Sequence, residues 1–169
     1  MPSDQLQITQ LAARLGELLL AQQVVVTTAE SCTGGGIAEA ITRIAGSSAW
    51  FEAGWVTYSN AQKQALLAVP EQTLVSYGAV SEPVAKAMAE GALVRAQAEL
   101  SVAVSGIAGP GGGTPQKPVG TVCFAWCKGA ISYTRTYVFA GDRQQVRAYT
   151  VQTALKGLIQ LLETDKLLD

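Results

Sequence analysis

The chain of 169 residues contains no histidine. That absence removes Ser-His-Asp and Cys-His catalysis, because no imidazole is there to take the nucleophile's proton near neutral pH. It also removes the usual zinc sites, since three cysteines without histidine make a poor ligand set. Acid–base chemistry must then come from a tuned lysine, carboxylate or tyrosine. Cysteine is scarce as well. Cys32, Cys123 and Cys127 leave one thiol unpaired under any disulfide scheme. Cys123 and Cys127, four apart in one expected strand, share a face but stand too far apart for easy bridging. Buried thiols in a reducing compartment are the expected state, and the cytoplasm the expected location. A long hydrophobic run is missing too. The apolar-rich stretch from Leu6 to Leu20 is broken by Gln7, Gln10, Arg14, Gly16 and Glu17, so it reads as neither signal peptide nor membrane span. Charge of one sign is nowhere concentrated. Twelve Lys and Arg against thirteen Asp and Glu give a net charge of −1, which suggests no nucleic-acid partner and no disordered tail.

What is present suffices for one domain with a sizeable core, and residues 1–169 show no repeat, linker or composition break. Leucines 6, 11, 15, 18 and 19 mark an amphipathic helix over 5–21. A strand is expected at 24–29, a helix at 34–45 ending at Gly46, and a strand at 51–58. Asn60 is positioned to cap a short helix over 61–67 that carries Lys63. Pro70-Glu71 opens another short turn or helix, broken at Tyr77-Gly78. Ser81-Glu82-Pro83 starts a helix that runs to about residue 98. The small apolar residues at 100–105 suit a strand buried on both faces. After a loop at 106–118, strands at 120–127 and 131–139 form a hairpin, and Asp142 caps a last helix over 143–163, with Gln145 placed to close a capping box. Helices alternating with strands, then a hairpin, indicate an α/β sandwich around a mixed sheet. Trp50, Phe51 and Trp55 belong to the core or to a homo-oligomer interface, with the core expected.

The chain is organised around Thr27-Thr28-Ala29-Glu30-Ser31-Cys32-Thr33-Gly34-Gly35-Gly36. β-Branched residues lead in and the periodic Ile37, Ala38, Ile41 and Ile44 lead out, which spells strand, sharp turn, helix. Glycines there let the backbone turn tightly, and the first helical amides favour negative charge. Ser31 is thus either a nucleophile beside an oxyanion site or a helix cap. Cys32 is the rival nucleophile, with only the helix dipole to lower its pKa. Lys63 can activate a serine only if burial or nearby cations make it neutral, and Glu30 and Glu52 are rival bases, Glu30 having the alternative of pairing with a cation or holding the turn. A second stretch, Gly106 to Thr114, follows a buried strand and could cradle a phosphate or carboxylate. It is neither a Walker loop nor a dinucleotide fingerprint, because no Gly-Lys-Ser/Thr follows and Pro110 and Pro118 break any helix start. Arg143 and Arg147, at i and i+4 on the last helix, could grip an anion or simply face solvent.

Taken together in order, Thr28 to Gly35, Gly46-Ser47-Ser48-Ala49-Trp50-Phe51, Val56-Thr57-Tyr58-Ser59-Asn60, Gly78-Ala79-Val80-Ser81, Ser105 to Pro110, Lys117 to Val122 and Gly141-Asp142-Arg143 resemble the CinA C-terminal domain family, in its stand-alone form, over about residues 6–163. The resemblance implies a three-layer α/β/α fold without metal or cofactor. It implies a nicotinamide-nucleotide amidase that hydrolyses nicotinamide mononucleotide to nicotinate mononucleotide and ammonia, in pyridine nucleotide recycling. Its partner would be that small molecule, with no nucleic acid and no membrane. Carried over residue by residue, Ser31 is the nucleophile, Lys63 the general base, and Ser48 and Tyr58 position groups or relay protons. The physical reading of the turn adds that amides near Thr33, Gly34 and Gly35 would hold the oxyanion. Ser105, standing where threonine is expected, binds substrate, as does Arg143 or Arg147, and the Gly-rich loop with Gly106 and Gly109 would hold the 5′-phosphate together with that arginine. A non-catalytic nucleotide-binding module of the same fold, or an amidase with another substrate, remains as an alternative.

Overall fold

Three parallel strands carry the fold's business end. In the computed structural model, which describes residues 2–168, β1 (Val26–Glu30) lies between β2 (Phe51–Val56) and β3 (Leu100–Gly106), parallel to both. β4 (Thr121–Lys128) and β5 (Ile131–Val138) continue the sheet antiparallel, giving the order β2-β1-β3-β4-β5. The sheet is mixed, as expected, and β5 turns back from β4 across Gly129-Ala130. Because β1, β2 and β3 run the same way, their carboxyl ends converge, and in open α/β sheets that is where ligands sit.

Alternation sorts the strand residues between two helical layers. Val26, Val102, Val104, Phe124 and Trp126 face α1 (Pro2–Gln22), α2 (Gly36–Thr42) and α6 (Arg143–Thr164), packing on Leu15, Leu19, Ile37, Ile41, Leu155 and Leu158. Phe124 and Trp126 stack with centroids 5.2 Å apart, and the Trp126 indole donates to Ala154 O at 3.0 Å. The opposite face is built of small residues. Ala29, Ala103 and Ala125, with Cys123 and Cys127, meet Ala85, Met88, Ala89 and Ala92 of α5 (Glu82–Ala96), flanked by α3 (Asn60–Leu67) and α4 (Glu71–Tyr77). The result is the three-layer α/β/α sandwich. Cys32, Cys123 and Cys127 are free and buried. Trp50 is buried, while Phe51 and Trp55 pack half-buried against opposite clusters. Among the described residues no helix is long and apolar enough to cross a membrane.

Some boundaries differ from the sequence reading. The first strand includes Glu30, and the following helix starts two residues later and ends earlier than its hydrophobic period suggested. Asn60 does not cap α3. Ser59 does, accepting from the Gln62 amide at 3.2 Å, and Asn60 becomes the first helical residue. The Asp142–Gln145 capping box of α6 is present as expected.

α3 sits so close to α5 that only glycine fits at position 91. A Cβ there would lie 1.9 Å from Leu67 O, a backbone atom that cannot swing aside. Gly91→Ala is expected to destabilise the fold by about 3 kcal/mol, lowering Tm by roughly 6–12 °C. It should also lower activity in the remaining folded protein, because α3 carries Lys63. A Tm within 2 °C of wild type, read by calorimetry with about that precision, would show that α3 yields without cost.

Candidate active site

The convergent strand ends bring three segments to one cleft. Ser31 follows β1, Thr57 and Tyr58 follow β2, and Ser105 and Gly106 end β3. The Ser31 amide donates to Val104 O at 3.1 Å, so β1–β3 pairing extends one residue further and fixes where the hydroxyl projects. Thr57 N donates to Glu30 O at 2.9 Å and anchors the other side. α3 then returns over the strand ends and delivers Lys63. Its side chain is 1 % exposed, and Nζ lies 3.2 Å from Ser31 Oγ and 3.1 Å from Thr57 O. Burial lowers the Lys63 pKa from the ordinary lysine value. A buried lysine that has no carboxylate partner among the described residues and is bonded to a serine hydroxyl is suited to hold the neutral form and accept that proton.

Glu30 has another task. Fully buried, it accepts from Thr33 Oγ1 at 2.6 Å and Ile37 N at 2.8 Å through Oε1, and from Ala38 N at 3.0 Å through Oε2. The Gly35 amide also points at it. Burial pushes the Glu30 carboxyl above its usual range, and these donors pull it part of the way back. Glu30 therefore caps α2 from the end of the preceding strand and holds the intervening turn. Gly35, at φ 99°, supplies the left-handed bend before the helix but no side-chain cap. The helix end being satisfied by Glu30, Ser31 is not its cap, and its hydroxyl is left to Lys63.

The same turn engages amides that the sequence offered for an oxyanion. Gly34 N donates to Ser31 O at 3.0 Å and Gly36 N to Thr33 O at 3.1 Å. Cys32 is buried beside Ser31, and burial pushes its thiol up to about 12. At neutral pH it is protonated and a poor nucleophile. Glu52 is exposed on β2 and does not line the cleft.

The cleft encloses about 310 Å³. Ser31, Cys32, Lys63, Tyr58 and Asn60 line it, with Ser105 beside Ser31 on the neighbouring strand, the loop residues 106–109, 111 and 112, and Ala79 and Val80 adding apolar surface. Arg143 closes one end, NH1 donating to Gly109 O at 2.8 Å and NH2 to the Tyr58 hydroxyl at 3.0 Å. Arg147 is elsewhere. It donates to Thr33 O at 3.1 Å from the far side of the turn and lines a second cavity with Thr33, Arg43 and Gln144. Of the residues singled out in the sequence, the structure thus gathers Ser31, Lys63, Tyr58, Ser105, Gly106, Gly109 and Arg143. Thr33, Gly34, Gly35 and Arg147 lie in or behind the turn. Ser48 is exposed in a short 3-10 helix, Ser47–Ala49, and does not line the cleft. Asn60 was missed as a cleft residue, although its i, i+3 spacing to Lys63 puts both on one helical face.

Known proteins share this architecture. The nicotinamide-nucleotide amidohydrolase PncC of Pseudomonas putida is 60% identical over 154 residues, covering 91% of this chain and 96% of the relative. The Escherichia coli K12 protein of the same name is 52% identical over 159 residues, with the same coverage. Among solved structures, the competence damage-inducible protein A from Klebsiella pneumoniae matches with a TM-score of 0.91 and 40% identity, over 94% of this chain and 99% of the other. The competence/damage inducible protein CihA from Agrobacterium tumefaciens matches at 0.89 and 46%, over 92% and 95%. With residues 8–162 matching its signature, the chain belongs to the CinA C-terminal domain family.

Proposed function

We propose that the protein is a nicotinamide-nucleotide amidase, hydrolysing nicotinamide mononucleotide to nicotinate mononucleotide and ammonia through a Ser31–Lys63 dyad, as a step in pyridine nucleotide recycling. The amidase activity is supported by the relatives that carry this name and cover nearly the whole chain. The mechanism is supported by one observation, the buried Lys63 Nζ at 3.2 Å from Ser31 Oγ.

In this mechanism Ser31 Oγ attacks the carboxamide carbon while its proton passes to Lys63 Nζ. The tetrahedral intermediate collapses as Lys63 returns the proton to the departing nitrogen, which leaves as ammonia. Water then attacks the acyl-enzyme, giving a proton to Lys63. The ester bond breaks, and the proton returns to Ser31 Oγ. Since the amides of Gly34 to Gly36 and of Ile107 are engaged, the oxyanion falls to other backbone of the cleft lining, which includes Cys32, Ala108 and Gly109. The pyridine ring rests on Ala79 and Val80, and the 5′-phosphate meets Arg143 at the end of the cleft. Tyr58, through its hydroxyl, orients that guanidinium.

The test is ammonia release from nicotinamide mononucleotide by the purified protein, with equimolar nicotinate mononucleotide expected. Nucleotide binding without ammonia would overturn the amidase reading in favour of a binding module.

A further inference from the structure

Asn60 opens α3, and its own helix makes no use of its side chain, because Ser59 supplies the cap. Among the described residues no protein group takes its amide. Yet it lines the cleft with Ser31 and Lys63. The other charged or aromatic polar side chains there are already bonded. Lys63 holds Thr57 O and Ser31, Arg143 holds Gly109 O and Tyr58, and Tyr58 holds Arg143. Asn60 thus offers the cleft an unpartnered carbonyl acceptor and an unpartnered NH₂ donor on a rigid helix start.

Its position follows from the dyad. Asn60 and Lys63, three residues apart, lie one above the other on a single face of α3. Attack requires the carboxamide carbon about 3–3.5 Å from Ser31 Oγ. The nitrogen that leaves must then stand within reach of Lys63 Nζ, which returns the proton. A carboxamide so placed presents its NH₂ to the α3 side of the cleft. The next polar group along that face is the Asn60 amide.

Resting on the amidase reading above, we propose that Asn60 is a substrate-orienting residue whose Oδ1 accepts a hydrogen bond from the NH₂ of the scissile carboxamide and turns its carbonyl carbon toward Ser31. A primary amide can make this bond, and an ester of the same acid, lacking N–H, cannot. Asn60 would therefore favour primary carboxamides over other acyl derivatives reaching the same serine. A neutral hydrogen bond of this kind corresponds to about a tenfold effect on rate.

The experiment compares two substrates on two proteins. kcat/KM is measured for nicotinamide mononucleotide and for the methyl ester of nicotinate mononucleotide, with wild type and Asn60→Ala. The expected result is a loss of about tenfold on the amide and less than about twofold on the ester. Equal losses on both would mean that Asn60 only shapes α3 and would overturn the proposal. So would no loss on either. Asn60 is exposed and not the cap, so the variant should fold, and an unchanged Tm confirms that the comparison is fair. If wild type itself releases no ammonia from the nucleotide, the amidase reading fails and this inference falls with it. Release by wild type with an unaltered amide-to-ester ratio in the variant sinks the inference alone.

Discussion

Ser31→Ala is expected to lower ammonia release from nicotinamide mononucleotide by about 10³-fold or more while Tm stays within a few degrees of wild type. The effect is large because the cleft has no second competent nucleophile. Cys32 is next in sequence, but its thiol is buried and pushed up to about 12, so thiolate is negligible at neutral pH. The Ser105 hydroxyl stands beside Ser31 at the end of the neighbouring strand, but Lys63 is bonded to Ser31 and Thr57 O and not to it. The fold should not notice the change. The turn is held by Glu30 and by backbone bonds around it, and the Ser31 hydroxyl takes part only through the bond from Lys63. Burst kinetics with an ester substrate would separate acylation from its absence in the variant. Turnover by Ser31→Ala within tenfold of wild type would transfer the attack to Cys32 or to water. A further Cys32→Ala change would then tell those two apart.

How far this site could be read before the structure depends on the range of each interaction. The strand, turn and helix around Ser31 were legible because the β-branched lead-in and the Ile37–Ile44 period are local patterns. That Glu30 could hold the turn was one of its readings, but its capping of α2 was not legible, since its carboxylate accepts from amides seven and eight residues on, from inside a strand rather than from the usual cap position. The choice between Ser59 and Asn60 was likewise closed to sequence. Both side chains can cap, and one residue of phase decides which stays outside the helix. Arg143 and Arg147 share a helix face by spacing, yet the turn after Ser31 comes between them. Arg143 looks into the cleft, and Arg147 holds the turn's far side through Thr33 O. The absence of histidine was the most informative single fact, because it left lysine as the natural partner for a serine. Nothing local marked Lys63 as buried. Its burial comes from α3 folding back over the strand ends, a tertiary event that the close approach at Gly91 makes possible.

That burial makes Lys63 both a competent base and a strain on the fold. Lys63→Met, which keeps the length and apolar stem, is expected to lower kcat/KM by about 10²–10⁴-fold, the usual worth of a general base. In wild type the rate should climb with pH to a plateau as Lys63 loses its proton, below lysine's ordinary value of 10.5. That limb should be absent from the residual activity of the variant. Stability gives an independent readout. Burial lowers the Lys63 pKa in the folded protein, while in the unfolded chain the amine titrates near 10.5. Between the two values the unfolded chain binds more protons, so wild-type stability rises with pH across that window. Below it the ammonium is charged in both states and its burial is fully penalised. The variant lacks the titration and the penalty, although it leaves Thr57 O without its donor. Any stability advantage of Lys63→Met over wild type should therefore shrink as pH rises toward 10.5, measured as Tm of both proteins across the same buffers. A wild-type Tm that runs parallel to the variant's throughout, with an unchanged pH–rate limb in the variant, would mean that Lys63 does not titrate in the cleft and is not the base. A lost limb and converging stabilities would instead tie catalysis and the energetic cost to the same buried amine. Evolution would then have kept at position 63 a residue that the fold alone would not favour.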